Sequence, residues 1–403
     1  MYYSFLIFST PEMKYFLQKR DFMEATGIIC EYNPLHLGHQ KQLRAVKAAY
    51  PDGGIVCLMS GNYVQRGAPA ILDKSLRAQA TMECGADLVL ELPLTASLSS
   101  AEGFAREGVR ILGGFCGRLC FGAETADKDA LLATAKALLQ PEFPEALRQE
   151  LNKGLSFPAA RQKALETMNL SGDILCHPND ILAIEYCKAI LSLGLNIEPM
   201  VIAREGRYHD NIPDAQNPSA TAVRGLMIQD KTWENFVPEA AKEIFTDAAL
   251  HQLAAGEQAI LYRLQTMTDE EFEALPYGNE GLWRKLMQNA RTLATLEDII
   301  TATKSKRYTR TRLDRMVMCA FLGISQKDLD SPAPYTRVLA FNDRGREILK
   351  SARETGLFPN MGETVDHPYQ DLEIRAGRLY SQFAISAEQP QQEQQRRIYY
   401  KKA

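Results

Sequence analysis

The chain has 403 residues and no apolar stretch near the roughly 20 residues a helix needs to cross a bilayer. Its longest uncharged runs, such as 53–65 and 316–326, are shorter and carry polar residues, which argues against a helical membrane protein. Net charge is nearly absent too. The 46 Lys and Arg against 50 Asp and Glu leave −4, so the chain as a whole is no basic nucleic-acid coat, although a local patch can still be segregated. The eight cysteines form no CxxC pair, and several, such as Cys30 and Cys57, sit inside apolar runs. That is how reduced, buried thiols of a cytoplasmic protein look. Cys116 and Cys120, four apart, could share zinc with His177, but structural zinc favours a second closely spaced pair, so no protein-held metal is expected. No internal repeat is visible.

What is present is the composition of a globular protein, 45% hydrophobic and 24% charged, too long for one ordinary core. Residues 1–22 lack a secretion pattern: the apolar run 5–8 is too short, and Lys14, Lys19 and Arg20 follow it rather than precede it. They are read as a dispensable extension, with the working chain opening at Met23. From there to 228, short apolar runs (27–30, 55–59, 87–92, 119–121, 199–202) alternate with helical stretches (37–49, 75–84, 101–112), and 127–193 reads as helical. Continuous apolar strands separated by helices predict an α/β domain with a parallel sheet covered on both faces. Residues 229–403 read as a mostly helical second domain, with helices at 240–255, 259–266, 269–274, 281–290 and 296–303. A strand is possible at 337–341, and a polar stretch at 387–395 is expected to fray.

The chemistry concentrates where the first strand runs into Glu31, Tyr32, Asn33, Pro34, Leu35, His36, Leu37, Gly38 and His39, and then into a helix. A strand, a tight turn and a helix N-terminus together bind anions, because free backbone N–H groups and the positive end of the helix dipole face the same point. His36 and His39 can share one face of the first helical turn and donate to phosphate oxygens, carrying charge when a phosphate raises their pKa. A second element, Ser219 to Arg224 after Asn217-Pro218, offers hydroxyl and guanidinium donors before another helix. A capping serine is the plainer reading of Ser219 taken alone.

The first element closely resembles the HxGH signature of class I nucleotidylyltransferases and class I aminoacyl-tRNA synthetases. The second resembles the loop with which nucleotidylyltransferases clamp a triphosphate from the other side. The match extends further. The runs 27–39, 59–67, 87–93, 121–124, 178–182, 204–210, 219–224 and 304–312 resemble, in order, those of bacterial tRNA(Met) cytidine acetate ligases, from about Met23 to about Tyr380. Cys30 and Asp180 depart from the expected small apolar residue and Asn.

The resemblance implies a Rossmann-like nucleotidylyltransferase domain and an ATP-dependent ligase. Such an enzyme acetylates N4 of the wobble cytidine of elongator tRNA(Met), with acetate as donor and Mg²⁺ expected on the phosphates. It also implies the nucleotide contacts: Ile29, Cys30, Glu31, Tyr32, Asn33, Pro34, Leu35, His36, Leu37, Gly38, His39, Gln40, Lys41 and Gln42, then Gly122, Asn179, Arg204 and Glu205. His36, His39, Ser219 and Arg224 would stabilise charge on the triphosphate, with Lys41 and Arg66 as further candidates. Glu91 and Glu124, at strand ends, could position acetate or the amine, or simply cap structure.

The run Lys304, Lys306, Arg307, Tyr308, Arg310, Arg312 and Arg315 sets six cations around an aromatic, which suits phosphate contacts and base stacking in a single-stranded loop. A small-molecule adenylyltransferase and a non-catalytic RNA-binding protein are the alternatives. The length and the basic helical second part argue against the first, the intact phosphate elements against the second.

Overall fold

The computed structural model describes residues 24–204, 217–305, 308–352, 367–391 and 393–402. Glu205, Lys306 and Arg307, most of the 204–210 run and the extension 1–22 therefore lie outside the described residues.

The strands are β1 (Ala25–Cys30), β2 (Gly54–Ser60), β3 (Tyr63–Val64), β4 (Ala68–Pro69), β5 (Leu88–Leu92), β6 (Arg118–Ala123), β7 (Glu198–Ala203), β8 (Arg337–Phe341) and β9 (Tyr399–Tyr400). Seven of them form one sheet in the order β7-β6-β1-β2-β5-β8-β9. The first five are mutually parallel, β8 is antiparallel to β5, and β9 runs parallel to β8. β1, β2 and β5 are buried along their whole length. That is why they read as unbroken apolar runs rather than alternating ones.

Eight helices frame the sheet and its functional edge: α1 (Leu37–Ala49), α2 (Lys74–Glu83), α3 (Ala101–Leu112), α4 (Pro178–Leu193), α5 (Ala220–Ile228), α6 (Arg310–Leu322), α7 (Asp343–Ala352) and α8 (Pro368–Tyr380). One apolar core joins one face of the sheet to α3, α4 and α7, and another joins the opposite face to α1, α2 and α5. Cys116 belongs to the first core and Cys120 to the second. Lying on opposite faces of the sheet, they cannot share an ion. Among the described residues, no three His, Cys, Asp or Glu come together as a metal site, and no helix is long and apolar enough to cross a membrane.

A third core surrounds α6, with helices Glu257–Thr266, Leu282–Ala290, Leu296–Thr303 and α8 around it. It also takes in Tyr63 of β3, whose hydroxyl donates to Ala376 O at 2.9 Å, while the Tyr380 hydroxyl donates to Ala70 O at 2.8 Å. The helical part is thus tied by buried hydrogen bonds to the hairpin that follows β2. Gly67 has φ +76°, and a Cβ there would lie 2.4 Å from the Arg315 amide, so only glycine lets this loop meet α6.

The helix expected over 240–255 stops at Phe245. Asp247 takes φ +58°, and the next backbone is used elsewhere: His251 N–H donates to Ile71 O, and Leu250 O accepts from Ile385 N–H. The stretch expected to fray, 387–395, is pinned instead. Glu393 is 3% exposed and pairs with Lys74 (2.5 Å) and Arg396 (3.3 Å), while Arg396 pairs with Asp73 (2.6 Å). A polar run cannot fray once its carboxylate is buried against three cations, Arg337 being the third at 3.6 Å.

Candidate nucleotide-binding active site

At the carboxyl end of β1 the chain turns through Tyr32 (φ +42°) into α1, whose N-cap is His36. The cap is reciprocal. His36 Nδ1 accepts the Gly38 N–H (3.1 Å), and His39 Nδ1 accepts the His36 N–H (3.3 Å). This capping box is built from two imidazoles instead of Ser and Glu. The rings stack with centroids 3.6 Å apart, and Tyr32 packs on His39 at 4.7 Å. A Cβ on residue 38 would lie 3.0 Å from the His36 ring, which accounts for the glycine.

Because each Nδ1 accepts, each neutral ring carries its proton on Nε2. His36 Nε2 is buried and makes no hydrogen bond among the described residues. The expectation concerned rings that gain charge when a phosphate raises their pKa; in the free protein they start out neutral. Burial, with Arg204 and Arg224 nearby, lowers the His36 pKa to about 3. Burial, His36 and Arg204 hold His39 well below the usual value. Both rings are therefore neutral N–H dipoles at pH 7, fixed before any anion arrives.

The second element closes on this turn. Arg224, on α5, donates from Nη1 to Asn33 O (2.6 Å) and from Nη2 to the Thr221 hydroxyl (3.1 Å). Ser219 caps α5 by accepting the Ala222 N–H at 3.1 Å, so the plainer reading of that serine is realised in the geometry. Lys41 donates to the Asn217 side chain (2.6 Å), tying α1 to the 217–224 segment. On the other flank, Arg204 donates to Asn179 Oδ1 (2.9 Å), and Asn179 donates to Glu124 Oε1 (2.5 Å). Glu124 also accepts the Asp180 N–H, capping α4. Asp180, fully buried, accepts from the Thr125 N–H and hydroxyl (2.8 and 2.7 Å). A Cβ at Gly122 would meet nothing nearer than Ile202 O at 3.9 Å.

The carboxyl ends of β1, β6 and β7 thus bring together His36, His39, Lys41, Gly122, Asn179, Arg204, Ser219 and Arg224. Ligands bind at that end of an open parallel sheet. Ile29, Cys30, Pro34 and Leu35 are buried, Ile29 packing against Gly108, so any contact from them would be through backbone. Gln42 donates to Cys120 Sγ (3.6 Å). Glu91 is taken by Lys74 through both oxygens, at 2.6 and 2.7 Å.

The basic run is placed differently. Arg310 forks onto Glu297 (2.7 Å twice) and reaches Asp314 (2.9 Å). Arg312 donates to Tyr277 O (3.1 and 2.8 Å) and lies over the Tyr308 ring, whose hydroxyl donates to Glu280. Arg315 is buried over Tyr277 and donates to Gln65 O (3.4 Å). Lys304 is exposed and makes no ion pair among the described residues.

Arg77 escaped sequence reasoning. Fully buried on α2, it donates to the carbonyls of Leu72 (3.0 Å), Glu31 (2.6 Å), Ser60 (3.1 Å) and Gly61. It binds the carboxyl ends of β1 and β2 to one another. A lone arginine in an amphipathic helix gives no sign of carbonyl partners far away in the chain.

A sequence model of the HIGH Nucleotidyl Transferase family matches residues 23–396. The tRNA(Met) cytidine acetate ligase of Clostridium acetobutylicum is 35% identical over 384 residues, covering 89% of this chain and 95% of that one. The protein of the same name from Clostridium novyi is 38% identical over 357 residues, covering 84% and 89%. Among solved structures, apo TmcAL from Thermotoga maritima superposes with a TM-score of 0.87 at 29% identity, over 94% of this chain and 100% of that one. The form of TmcAL bound with alpha-thio ATP gives 0.84 at 30% identity, with the same coverage. The two-histidine cap, the arginine clamp and these likenesses along nearly the whole chain lead to one conclusion: the chain belongs to the HIGH nucleotidyl transferases and, within them, to the tRNA(Met) cytidine acetate ligase family.

Proposed function

We propose that this protein ligates acetate to N4 of the wobble cytidine of elongator tRNA(Met) at the expense of ATP. The observation that carries the reading is the preformed pair of neutral Nε2–H donors at the α1 N-terminus, faced by Arg224 and Arg204, in a chain alike over 89% and 84% of its length to two proteins bearing that name. That reach into the helical part also favours the ligase over a small-molecule adenylyltransferase.

The chemistry stems from what acetate lacks. Its leaving group would be oxide, so it cannot acylate an amine directly. An acetate oxygen bonds to the α-phosphorus of ATP as the bond to pyrophosphate breaks. The acetyl-adenylate then offers AMP as a good leaving group to the N4 amine. No covalent nucleophile is required of the protein, which positions the partners and stabilises developing phosphate charge. His36, His39, Ser219 and Arg224 act on the triphosphate, and Lys41, Gly122, Asn179 and Arg204 on the rest of the nucleotide. Glu205, outside the described residues, belongs to the same proposed set. Mg²⁺ would be held by phosphate oxygens and water rather than a protein cage, since the described residues offer no ligand cluster. Lys304, with Lys306 and Arg307 beside it in the chain, is the proposed RNA contact. Reaction partners of this kind make the protein cytoplasmic.

Incubation with labelled acetate, ATP and total tRNA, then nucleoside mass spectrometry, tests the reading. N4-acetylcytidine should form in tRNA(Met) only when both small substrates are present. Label transfer to another acceptor, or none, would refute it.

A further inference from the structure

Among the described residues, three carboxylates stand at the carboxyl ends of the parallel strands, and two are already engaged. Glu91 is bound by Lys74 through both oxygens, and Glu124 accepts from Asn179 and from the Asp180 N–H. Glu31, the first residue after β1, differs. Its Oε1 accepts the Gln65 N–H at 2.7 Å, while Oε2 accepts nothing from the described residues. The side chain keeps part of its surface open, and the backbone is pinned because Glu31 O takes Arg77 Nη1 at 2.6 Å. Gln65 is also the residue whose carbonyl receives Arg315 of α6. The carboxylate therefore sits between the HxGH turn and the loop on which the helical part rests.

The second half of the reaction has a requirement that the phosphate-binding groups do not meet. The N4 lone pair of cytidine is delocalised into the ring, so the amine must lose a proton as its bond to carbon forms. His36 and His39 cannot take that proton, since each Nδ1 is occupied and each Nε2 is already protonated. We propose that Glu31 is the general base of acetyl transfer. Oε2 takes the N4 proton as N4 bonds to the acetyl carbon, the bond from that carbon to the phosphate oxygen breaks, and AMP leaves with its electrons. The proton then passes to water. This rests on the ligase reading and deepens it.

The electrostatics run in the required direction. Burial raises the Glu31 pKa, opposed by the Gln65 N–H and by Arg224, Arg77 and Arg66. Cys30 and Tyr186, the other titratable groups facing it, are kept neutral by burial. A carboxylate raised toward neutrality is a stronger base than an ordinary one.

Glu31→Gln keeps an acceptor for the Gln65 N–H and the same size, and removes the base. Two readouts separate the half-reactions: acetohydroxamate made from acetate, ATP and hydroxylamine, a nucleophile that needs no base, and single-turnover acetylation of tRNA. Acetylation should fall on the order of 100-fold further than acetohydroxamate formation. In the unsubstituted protein its rate should rise with pH through one ionisation that the variant lacks. Equal losses in both readouts, or no loss, would overturn the proposal. If the variant does not fold, the pH profile of the unsubstituted protein decides alone, and a transfer step without an ionisation contradicts the assignment. Should the unsubstituted protein give neither product, the ligase reading itself has failed, before any variant is compared.

Discussion

The N-terminal turn of α1 and that of α6 both gather polar side chains where anions were expected, and they are built on opposite plans. At α1 the two imidazoles spend one nitrogen each on the backbone and carry the proton on the other, that of His36 buried with no partner among the described residues. At α6 the cations are already partnered within the protein: Arg310 to Glu297 and Asp314, Arg312 to Tyr277 O, Arg315 to Gln65 O. The first has the build that the proposed phosphate site requires. Much of the second is joinery, within the helical part for Arg310 and Arg312 and, for Arg315, to the loop that follows β2. A high density of charge in a sequence is thus a poorer guide to binding than two uncharged groups with nothing else to do.

The largest effect should come from the α1 turn. His39→Ala should lower acetate-dependent consumption of ATP by on the order of 100-fold or more, since that is the usual cost of one oxyanion donor. Activity within about twofold would show that the ring only caps the helix. For stability the steepest loss should come from Arg77→Leu, which strips donors from four buried carbonyls. At about 1–3 kcal/mol for each unsatisfied group, partly relieved by relaxation, urea denaturation should show a loss of at least about 3 kcal/mol. A smaller loss would mean water reaches those carbonyls.

Acid should act through the same turn. The folded-state pKa of His36 lies near 3 and that of His39 well below its ordinary value. Between about pH 6.5 and 3 the unfolded chain therefore binds protons that the native state refuses. Stability contributed by these groups is fully present above about 6.5 and is lost as pH falls, by up to about 1.4 kcal/mol per pH unit for each ring. Replacing both histidines with Asn, which can still cap, should flatten the acid limb of the melting temperature against pH. An unchanged limb would place the sensitivity elsewhere.

Smaller effects separate the joinery from the proposed RNA contact. Arg310→Ala should cost no more than about 1 kcal/mol and leave the salt dependence of tRNA binding unaltered, because its charge is already matched. Lys304→Ala should leave stability alone and flatten the log–log salt slope by about 0.7. The reverse pattern would return Arg310 to the RNA surface. Least of all should change when the chain begins at Met23, where the family match also begins. Melting temperature and tRNA acetylation should then equal those of the full chain, and a drop in either would make residues 1–22 structural.

What could be read from the sequence was local. β1, its turn and α1 are contiguous, so apolar run, Pro34, Gly38 and the two histidines marked out the candidate site, and the strand at 337–341 was visible in its β-branched and aromatic residues. The clamp by Arg224 and the flank of Asn179 and Arg204 came through motif resemblance, and the geometry sets them beside the turn. What stayed hidden was long-range. The Glu31 and Ser60 carbonyls that Arg77 reaches, the Lys74 and Arg337 cations that pair with Glu393, and the Gln65 carbonyl that receives Arg315 all lie far from these residues in the chain. Helix 240–255 was overextended for the same reason, because the bridge from His251 to Ala384 spans more than a hundred residues. How far the free histidines are held from charge was hidden as well, because desolvation depends on everything packed around the turn, which composition does not reveal.

The contrast between the two helix termini comes down to acetate-dependent exchange of labelled pyrophosphate into ATP, without tRNA, in the unsubstituted protein, His39→Ala and Arg310→Ala. A prepared phosphate site at α1 and joinery at α6 require exchange in the first and third and its collapse in the second. Undiminished exchange in His39→Ala, with loss in Arg310→Ala, would contradict both roles.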